Sequence, residues 1–108
     1  MRNIHTDKDA KERFRAQIMG GLVKEHVPEH MHDGYLLYFL EGIQPGSFGM
    51  AVLENDLREA CARADSVNQR ALFQHVSFLY NYAPVGSWGS EANVANWIKS
   101  VRQVVEAL

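Results

Sequence analysis

The sequence predicts an all-α protein, a compact bundle of four to six helices. Apolar residues recur three and four positions apart, the spacing that gathers them on one face of an α-helix. No segment alternates between apolar and polar residues with turn signals on both sides, so no strand is expected. The chain has 108 residues, of which 46% are hydrophobic, and this suffices for one domain with its own core. We therefore expect residues 1–108 to form a single helical domain.

The first helix is predicted over residues 7–26. Thr6 precedes it as a candidate N-cap, because a threonine hydroxyl can accept a hydrogen bond from the free backbone N–H groups of the first turn. Gly20 and Gly21 lie within this helix, where glycine is unfavourable. They indicate a kink, a close contact with another helix or a break. Pro28 ends the segment, since proline cannot continue a helix.

The second helix is predicted over residues 32–41, and Gly42 is the residue expected to end it. Its sequence YLLYFL is apolar almost all round, which predicts burial on more than one side. After a Pro-Gly turn, Ser47 is the candidate N-cap of a long helix over residues 48–64. Asn55-Asp56 offers a point at which a second, separate helix would restart.

Two further helices complete the predicted bundle. Asp65 or Ser66 caps the first of them, which stops at Pro84. Ser90 caps the last helix. That helix has the most regular apolar stripe in the chain, formed by Val94, Trp97, Ile98, Val101, Val104, Val105 and Leu108.

The overall composition excludes several classes of protein. A formal net charge of −2 argues against nucleic-acid binding, which needs a basic patch or stripe. The N-terminal residues are polar and lack the apolar core of a signal peptide, and the longest apolar run, residues 35–40, is too short to cross a bilayer. The single cysteine, Cys61, cannot form an internal disulfide. These features predict a soluble, cytoplasmic protein without a membrane partner.

The candidate catalytic and metal-binding groups are weak. His26, His30 and His32 lie close together in sequence, but their spacing matches no zinc motif, and a solvated cluster is the simpler interpretation. Cys61 falls on the apolar stripe of its predicted helix, which favours a buried small hydrophobe over a nucleophile paired with His75. We therefore predict no enzyme activity, no metal and no cofactor.

Two stretches remain as candidate binding sites. Arg58, Arg63 and Arg70 belong to a mixed-charge surface that is either a solvated helix face or an anion clamp. The stretch FLYNYAPVGSWGS, residues 78–90, is rich in aromatic side chains beside a turn. It either closes the core, with Trp88 over Trp97, or lines a ligand site at the N-terminus of the last helix.

Several sequence blocks occur in an order that resembles a family of short proteins encoded by tailed phages and prophages. They are IQPGSF at 43–48, AVLENDLREA at 51–60, RAD at 63–65, FLYNYAP at 78–84 and GSWGS at 86–90. Two positions depart from the family pattern, with Gln44 in place of a proline and Ser87 in place of a cysteine. The second departure means that no metal or thiol chemistry is carried over to that loop.

The resemblance implies a phage accessory protein that acts in the host cytoplasm and counters host defence. It implies either capture of a small nucleotide-like ligand by a homo-oligomer or the blocking of a host defence protein by a protein-interaction module. Base stacking on aromatic rings and phosphate binding by arginine favour the first hypothesis. The predicted ligand-binding residues are Arg63, Asn68, Tyr80, Asn81, Ser87 and Trp88.

Overall fold

The computed structural model describes residues 3–108. These residues form seven α-helices and no strand, which confirms the all-α prediction with one helix more than expected. A single 3-10 turn, Glu29–Met31, leads into the second helix. The helices are α1 (Lys8–Lys24), α2 (His32–Glu41), α3 (Ser47–Leu53), α4 (Leu57–Arg63), α5 (Ser66–Arg70), α6 (Leu72–Tyr82) and α7 (Glu91–Glu106). Within the described range, no helix combines the length and the apolar character that a bilayer crossing requires.

The extra helix comes from breaks in the middle of the chain. The predicted long helix is divided between α3 and α4 at Asn55, whose φ of 61° is left-handed. Asp56 then restarts the chain, because its carboxylate accepts a hydrogen bond from the backbone N–H of Glu59 and caps α4. A second break lies at Ala71, which has non-helical angles and separates α5 from α6.

The expected ends of three helices are confirmed. Gly42 follows α2 with a φ of 66°, a left-handed conformation that glycine adopts without steric cost. Asp65 caps α5 by accepting from the backbone N–H of Asn68 at 2.7 Å. Ser90 caps α7 by accepting from the backbone N–H of Asn93 at 3.1 Å.

Two predicted caps are wrong by one residue. The cap of α1 is Asp7 rather than Thr6, and its carboxylate accepts from the backbone N–H of Ala10 at 3.0 Å. An ionised carboxylate gains more than a hydroxyl from the positive end of the helix dipole. The cap of α3 is Gly46, and Ser47 is already the first residue of the helix, with no capping bond from its side chain.

Helix α2 lies at the centre of the bundle, as its apolar sequence predicts. Its buried side chains are Tyr35, Leu36, Tyr38, Phe39 and Leu40. α1, α6 and α7 all pack against the resulting core, through residues such as Ile18, Phe78 and Val94. Aromatic rings from four helices meet there, since Phe39 of α2 contacts the rings of Phe14, Phe78 and Trp97. α2 is therefore the element around which the other helices are placed.

The glycine pair in α1 permits a close helix contact. α1 continues through both glycines without a break. A Cβ added to Gly21 would lie 2.5 Å from Cγ of Tyr82, whereas one added to Gly20 would meet nothing within 4 Å. Of the three alternatives left by the sequence, the contact between α1 and the end of α6 is the one that the structure contains.

We expect Gly21→Ala to lower the free energy of unfolding by about 1–3 kcal/mol, because the added methyl group overlaps the Tyr82 ring. Gly20→Ala is the matched control and should raise the free energy of unfolding by up to about 1 kcal/mol, because alanine has a higher helix propensity than glycine at an exposed position. Urea unfolding followed by circular dichroism measures both values. Equal effects of the two substitutions would contradict a specific contact at Gly21.

Candidate functional site

A chain of buried polar groups links three helices. The Tyr35 hydroxyl on α2 donates to Nδ1 of His75 on α6 at 2.7 Å, and His75 Nε2 donates to Oδ1 of Asn68 on α5 at 3.0 Å. The direction of these bonds follows from the amide of Asn68, whose Nδ2 donates to the Met31 sulfur at 3.4 Å, leaving Oδ1 as the acceptor. All three linked side chains are buried. We call Tyr35, His75 and Asn68 the polar chain.

Burial determines the protonation states within the polar chain. The pKa of His75 is lowered to about 4, mainly by burial and then by the nearby His30, while Asp65 acts in the opposite direction. Burial also raises the pKa of the Tyr35 hydroxyl. Both side chains are therefore neutral at pH 7. Because both ring nitrogens of His75 are already bonded, the imidazole acts as a bridge between helices.

The polar chain borders a cleft through Asn68 and Tyr35. The volume of this cleft is about 330 Å³, which lies in the lower part of the size range of small-molecule sites. We call it the polar cleft. Its walls come from the 3-10 turn, the start of α2, the loop into α3, and the turn between α4 and α5. The polar side chains that line it are His30, Arg63, Asp65 and Asn68. The apolar side chains that line it include Met31, Pro45 and Phe48.

A hydrogen bond between His30 and Asp65 lies at the cleft. Nε2 of His30 donates to Oδ2 of Asp65 at 3.0 Å, and both side chains are exposed. The backbone N–H of Asn68, and then the hydrogen bond from His30, lower the pKa of the Asp65 carboxyl, which is therefore ionised at pH 7. Nε2 carries a single proton, and that proton is directed to Asp65. The Asn68 amide nitrogen, 3.4 Å from the same Nε2, is thus in contact with it rather than hydrogen-bonded.

Arg63 supplies positive charge to the cleft. It is the last residue of α4, and its Nε donates to Glu59 one turn earlier at 3.3 Å, an exposed pair that contributes little stability. Among the described residues, no partner bonds its two terminal NH2 groups. These groups have the planar geometry that binds a phosphate or carboxylate through two hydrogen bonds.

The six residues predicted to bind a ligand lie in three places. Arg63 and Asn68 both line the polar cleft. Tyr80 and Asn81 lie on the exposed side of α6, where Asn81 Nδ2 donates to the backbone carbonyl of Ser77 at 2.8 Å. The remaining two, Ser87 and Trp88, lie in the loop before α7, where Trp88 packs against the core.

The loop at residues 84–90 is tied into the core. Oγ of Ser87 is buried and donates to the carbonyl of Pro84 at 2.6 Å, while the Ser87 carbonyl accepts from the Tyr38 hydroxyl at 2.5 Å. The backbone N–H of Gly89 donates to the carbonyl of Leu53 at 2.7 Å. These bonds point inward, and they favour the core-closing alternative for this loop over a ligand site.

His30 and Asp65 belong to the polar cleft but were not among the predicted site residues. They are 35 positions apart, so no local spacing brings them together. The only signal was the block RAD at 63–65, which places an arginine and a carboxylate two residues apart. That block was interpreted as surface charge and as a helix cap.

Cys61 and the neighbouring histidines differ in how they match the expectations from the sequence. Cys61 was expected to be buried, but it is exposed, because α4 is short and buries only Ala60. Two of the three neighbouring histidines have different partners, since His30 bonds to Asp65 and His32 Nε2 bonds to the carbonyl of Val27 at 2.8 Å. Across residues 3–108, no three histidine, cysteine or acidic side chains are grouped so as to hold a metal ion.

Comparison with protein-family models, curated proteins and solved structures finds no match to this chain. A fold by itself does not specify a function, which depends on the side chains of a site. Function is accordingly inferred from the polar cleft and from the exposed surface of the helices.

We expect the free energy of unfolding to fall by roughly 3 kcal/mol between pH 6.5 and pH 4 because of His75. Between these pH values His75 is protonated in the unfolded chain, whereas the buried imidazole of the folded chain stays neutral. The contribution is fully present above pH 6.5 and is lost as the pH falls. Urea unfolding at several pH values measures the slope.

His75→Gln should reduce this slope even though it also lowers stability at pH 7. Gln74→Ala is the control, because Gln74 is next to His75 on α6 and carries no titratable group, so the wild-type slope should remain. Identical slopes in the wild type and in His75→Gln would show that other groups cause the decline.

Proposed function

We propose that this chain is a non-catalytic binding protein that captures a small nucleotide-like ligand in the polar cleft and acts as a homo-oligomer. The observation that carries the proposal is that Arg63, with two unpartnered NH2 groups, and the ionised Asp65 line the same ligand-sized cleft. With the resemblance to tailed-phage proteins, the proposal extends to capture of a host nucleotide signal in the cytoplasm of an infected bacterium.

The side chains that line the cleft favour a ligand with a phosphate, a hydrogen-bond donor and a flat apolar part. The guanidinium of Arg63 suits a phosphate, and the carboxylate of Asp65 suits a donor such as a ribose hydroxyl or a base amine. Met31 and Phe48 offer an apolar surface for the faces of a base. Inorganic phosphate lacks both the donors and the apolar part, and it would meet repulsion from Asp65. A nucleotide therefore fits the cleft better than a bare anion.

The polar chain supports binding rather than catalysis. A general base needs a free lone pair that reaches the substrate. His75 is fully buried, and its two ring nitrogens are engaged by Tyr35 and Asn68. The histidine therefore holds Asn68 in place at the cleft and takes no proton from a ligand.

A second candidate function is a protein-interaction module that binds and blocks a host defence protein. It is favoured by the surface of α6, where Phe73 and Tyr80 are each 79% exposed. Exposed aromatic side chains of this size are enriched at interfaces between proteins.

We expect Arg63→Gln to weaken nucleotide binding about 10- to 100-fold, the loss expected for a hydrogen-bonded charge. Arg58→Gln is the matched control, because Arg58 lies on the same helix, is equally a surface arginine and does not line the cleft. Isothermal titration calorimetry with adenosine monophosphate and with cyclic dinucleotides measures both variants. Native mass spectrometry of protein purified from bacteria tests for a ligand already bound.

Adenosine and inorganic phosphate serve as partial ligands in the same titrations. Each should bind more weakly than a nucleotide, since each contacts only part of the cleft. The proposal fails if no nucleotide of the panel binds, or if Arg63→Gln and Arg58→Gln change the affinity equally.

A further inference from the structure

The outer surface of α6 carries an apolar stripe, and the helix has no charged residue of its own. Residues 72–82 include no aspartate, glutamate, lysine or arginine. Phe73 and Tyr80 are each 79% exposed, and Val76 between them is 43% exposed. Their spacing of three and four residues aligns the three side chains on one face of the helix. We call Phe73, Val76 and Tyr80 the α6 stripe.

We propose that the α6 stripe is the contact surface for a second copy of this chain, packed antiparallel to form a twofold dimer. This dimer specifies the homo-oligomer that belongs to the proposed function. It does not depend on capture of a ligand, because none of its residues lines the polar cleft.

The absence of charge limits the kind of partner. A charged side chain opposite Phe73 or Tyr80 would lose its water without gaining a counter-ion, which is strongly unfavourable. The partner must therefore present an apolar, uncharged helix or groove. α6 itself has these properties along Phe73, Val76 and Tyr80, and the nearest carboxylates, Glu25 bonded to Ser77 and Asp56 in the groove beside Val76, border the stripe without belonging to it.

The sequence of α6 also gives an antiparallel pair a favourable register. A twofold axis between Val76 and Ser77 places each Phe73 opposite the partner's Tyr80, so two aromatic pairs form by symmetry. A parallel pair would instead place identical residues opposite each other, with their helix dipoles aligned unfavourably.

Charge complementarity at the ends of α6 favours the same orientation. Arg70 is exposed and lies at the end of α5, directly before α6. In an antiparallel pair it approaches the C-terminal end of the partner helix, where free carbonyl groups carry partial negative charge. The cation therefore lies at the edge of the contact, beside a complementary group.

The available area predicts a weak dimer. Aromatic side chains bury roughly 150–250 Å² each, so two rings at 79% exposure offer on the order of 300 Å² per chain. Val76 and the exposed Leu57, which border a shallow groove beside α6, extend this surface. Stable interfaces bury about 800 Å² per partner. We therefore expect a dimer that dissociates upon dilution.

Sedimentation velocity of the full chain over a wide range of concentrations, without nucleotide, tests the dimer. The wild type should shift from monomer to dimer as its concentration rises. Phe73→Lys and Tyr80→Glu should each weaken dimerisation at least about 30-fold, as expected for a central interface residue. Val85→Glu is the control, because Val85 is fully exposed but lies in the loop before α7.

An equimolar mixture of the Phe73→Lys and Tyr80→Glu variants tests the antiparallel register. In the mixed dimer the introduced ammonium and carboxylate face each other, and the second aromatic pair remains intact. The mixture should therefore dimerise more tightly than either variant alone. Circular dichroism confirms that the substituted chains stay folded, as expected for exposed positions.

A wild type that stays monomeric at every concentration overturns the proposal. This holds even if a host protein is found to bind the α6 stripe. Equal weakening by Val85→Glu, or a mixture no tighter than the single variants, overturns it as well. Nucleotide titration of the same variants separates the two proposals. If the wild type does not dimerise but binds nucleotide, the dimer proposal fails and the proposed function of the polar cleft stands. If it dimerises but binds no nucleotide, the dimer proposal stands and the proposed function fails.

Discussion

The hydrogen-bonded polar chain is the constraint on which the arrangement of this bundle depends. An imidazole in an apolar core is unfavourable unless both of its nitrogens find partners. Tyr35 and Asn68 provide those partners from α2 and α5, so the position of His75 fixes α6 against both helices. Asn68 is thereby held at the wall of the polar cleft, and Asp65, three residues earlier, caps the same short helix.

The same constraint determines which side of α6 faces outward. On a helix, residues two positions apart lie about 200° apart, so the burial of His75 turns Phe73 away from the core. Phe78 and Leu79 are buried with His75, and this leaves Tyr80 outside. The exposed aromatic stripe is therefore a consequence of how the polar group is satisfied. A small apolar residue at position 75 would not impose one rotation of α6 as strictly.

Local signals determined how much could be predicted. Helix α2 and its end at Gly42 were predicted correctly because continuous apolar sequence and a following glycine are local features. The break at Ala71 was missed, since neither proline nor glycine marks it. Arg63 and Asn68 were predicted to share one site with residues of the 80–88 segment, and the polar cleft itself was not predicted, because its histidine comes from a segment 35 residues away from its aspartate. The aromatic density of residues 78–90 reflects core closure on the inside and a free helix face on the outside, and sequence spacing does not separate these two causes.

The charges and the apolar wall of the polar cleft have different effects on a ligand. His30, Asp65 and Arg63 are exposed, so water and salt weaken their attraction for a phosphate or a hydroxyl. Such groups select the orientation and chemical class of a ligand more than they add affinity. The partly buried Met31 and Pro45 offer apolar surface from which water is released on contact. Strong capture therefore requires a ligand whose flat apolar part covers these side chains while its polar groups reach Arg63 and Asp65, and that requirement favours a nucleotide over any simpler anion.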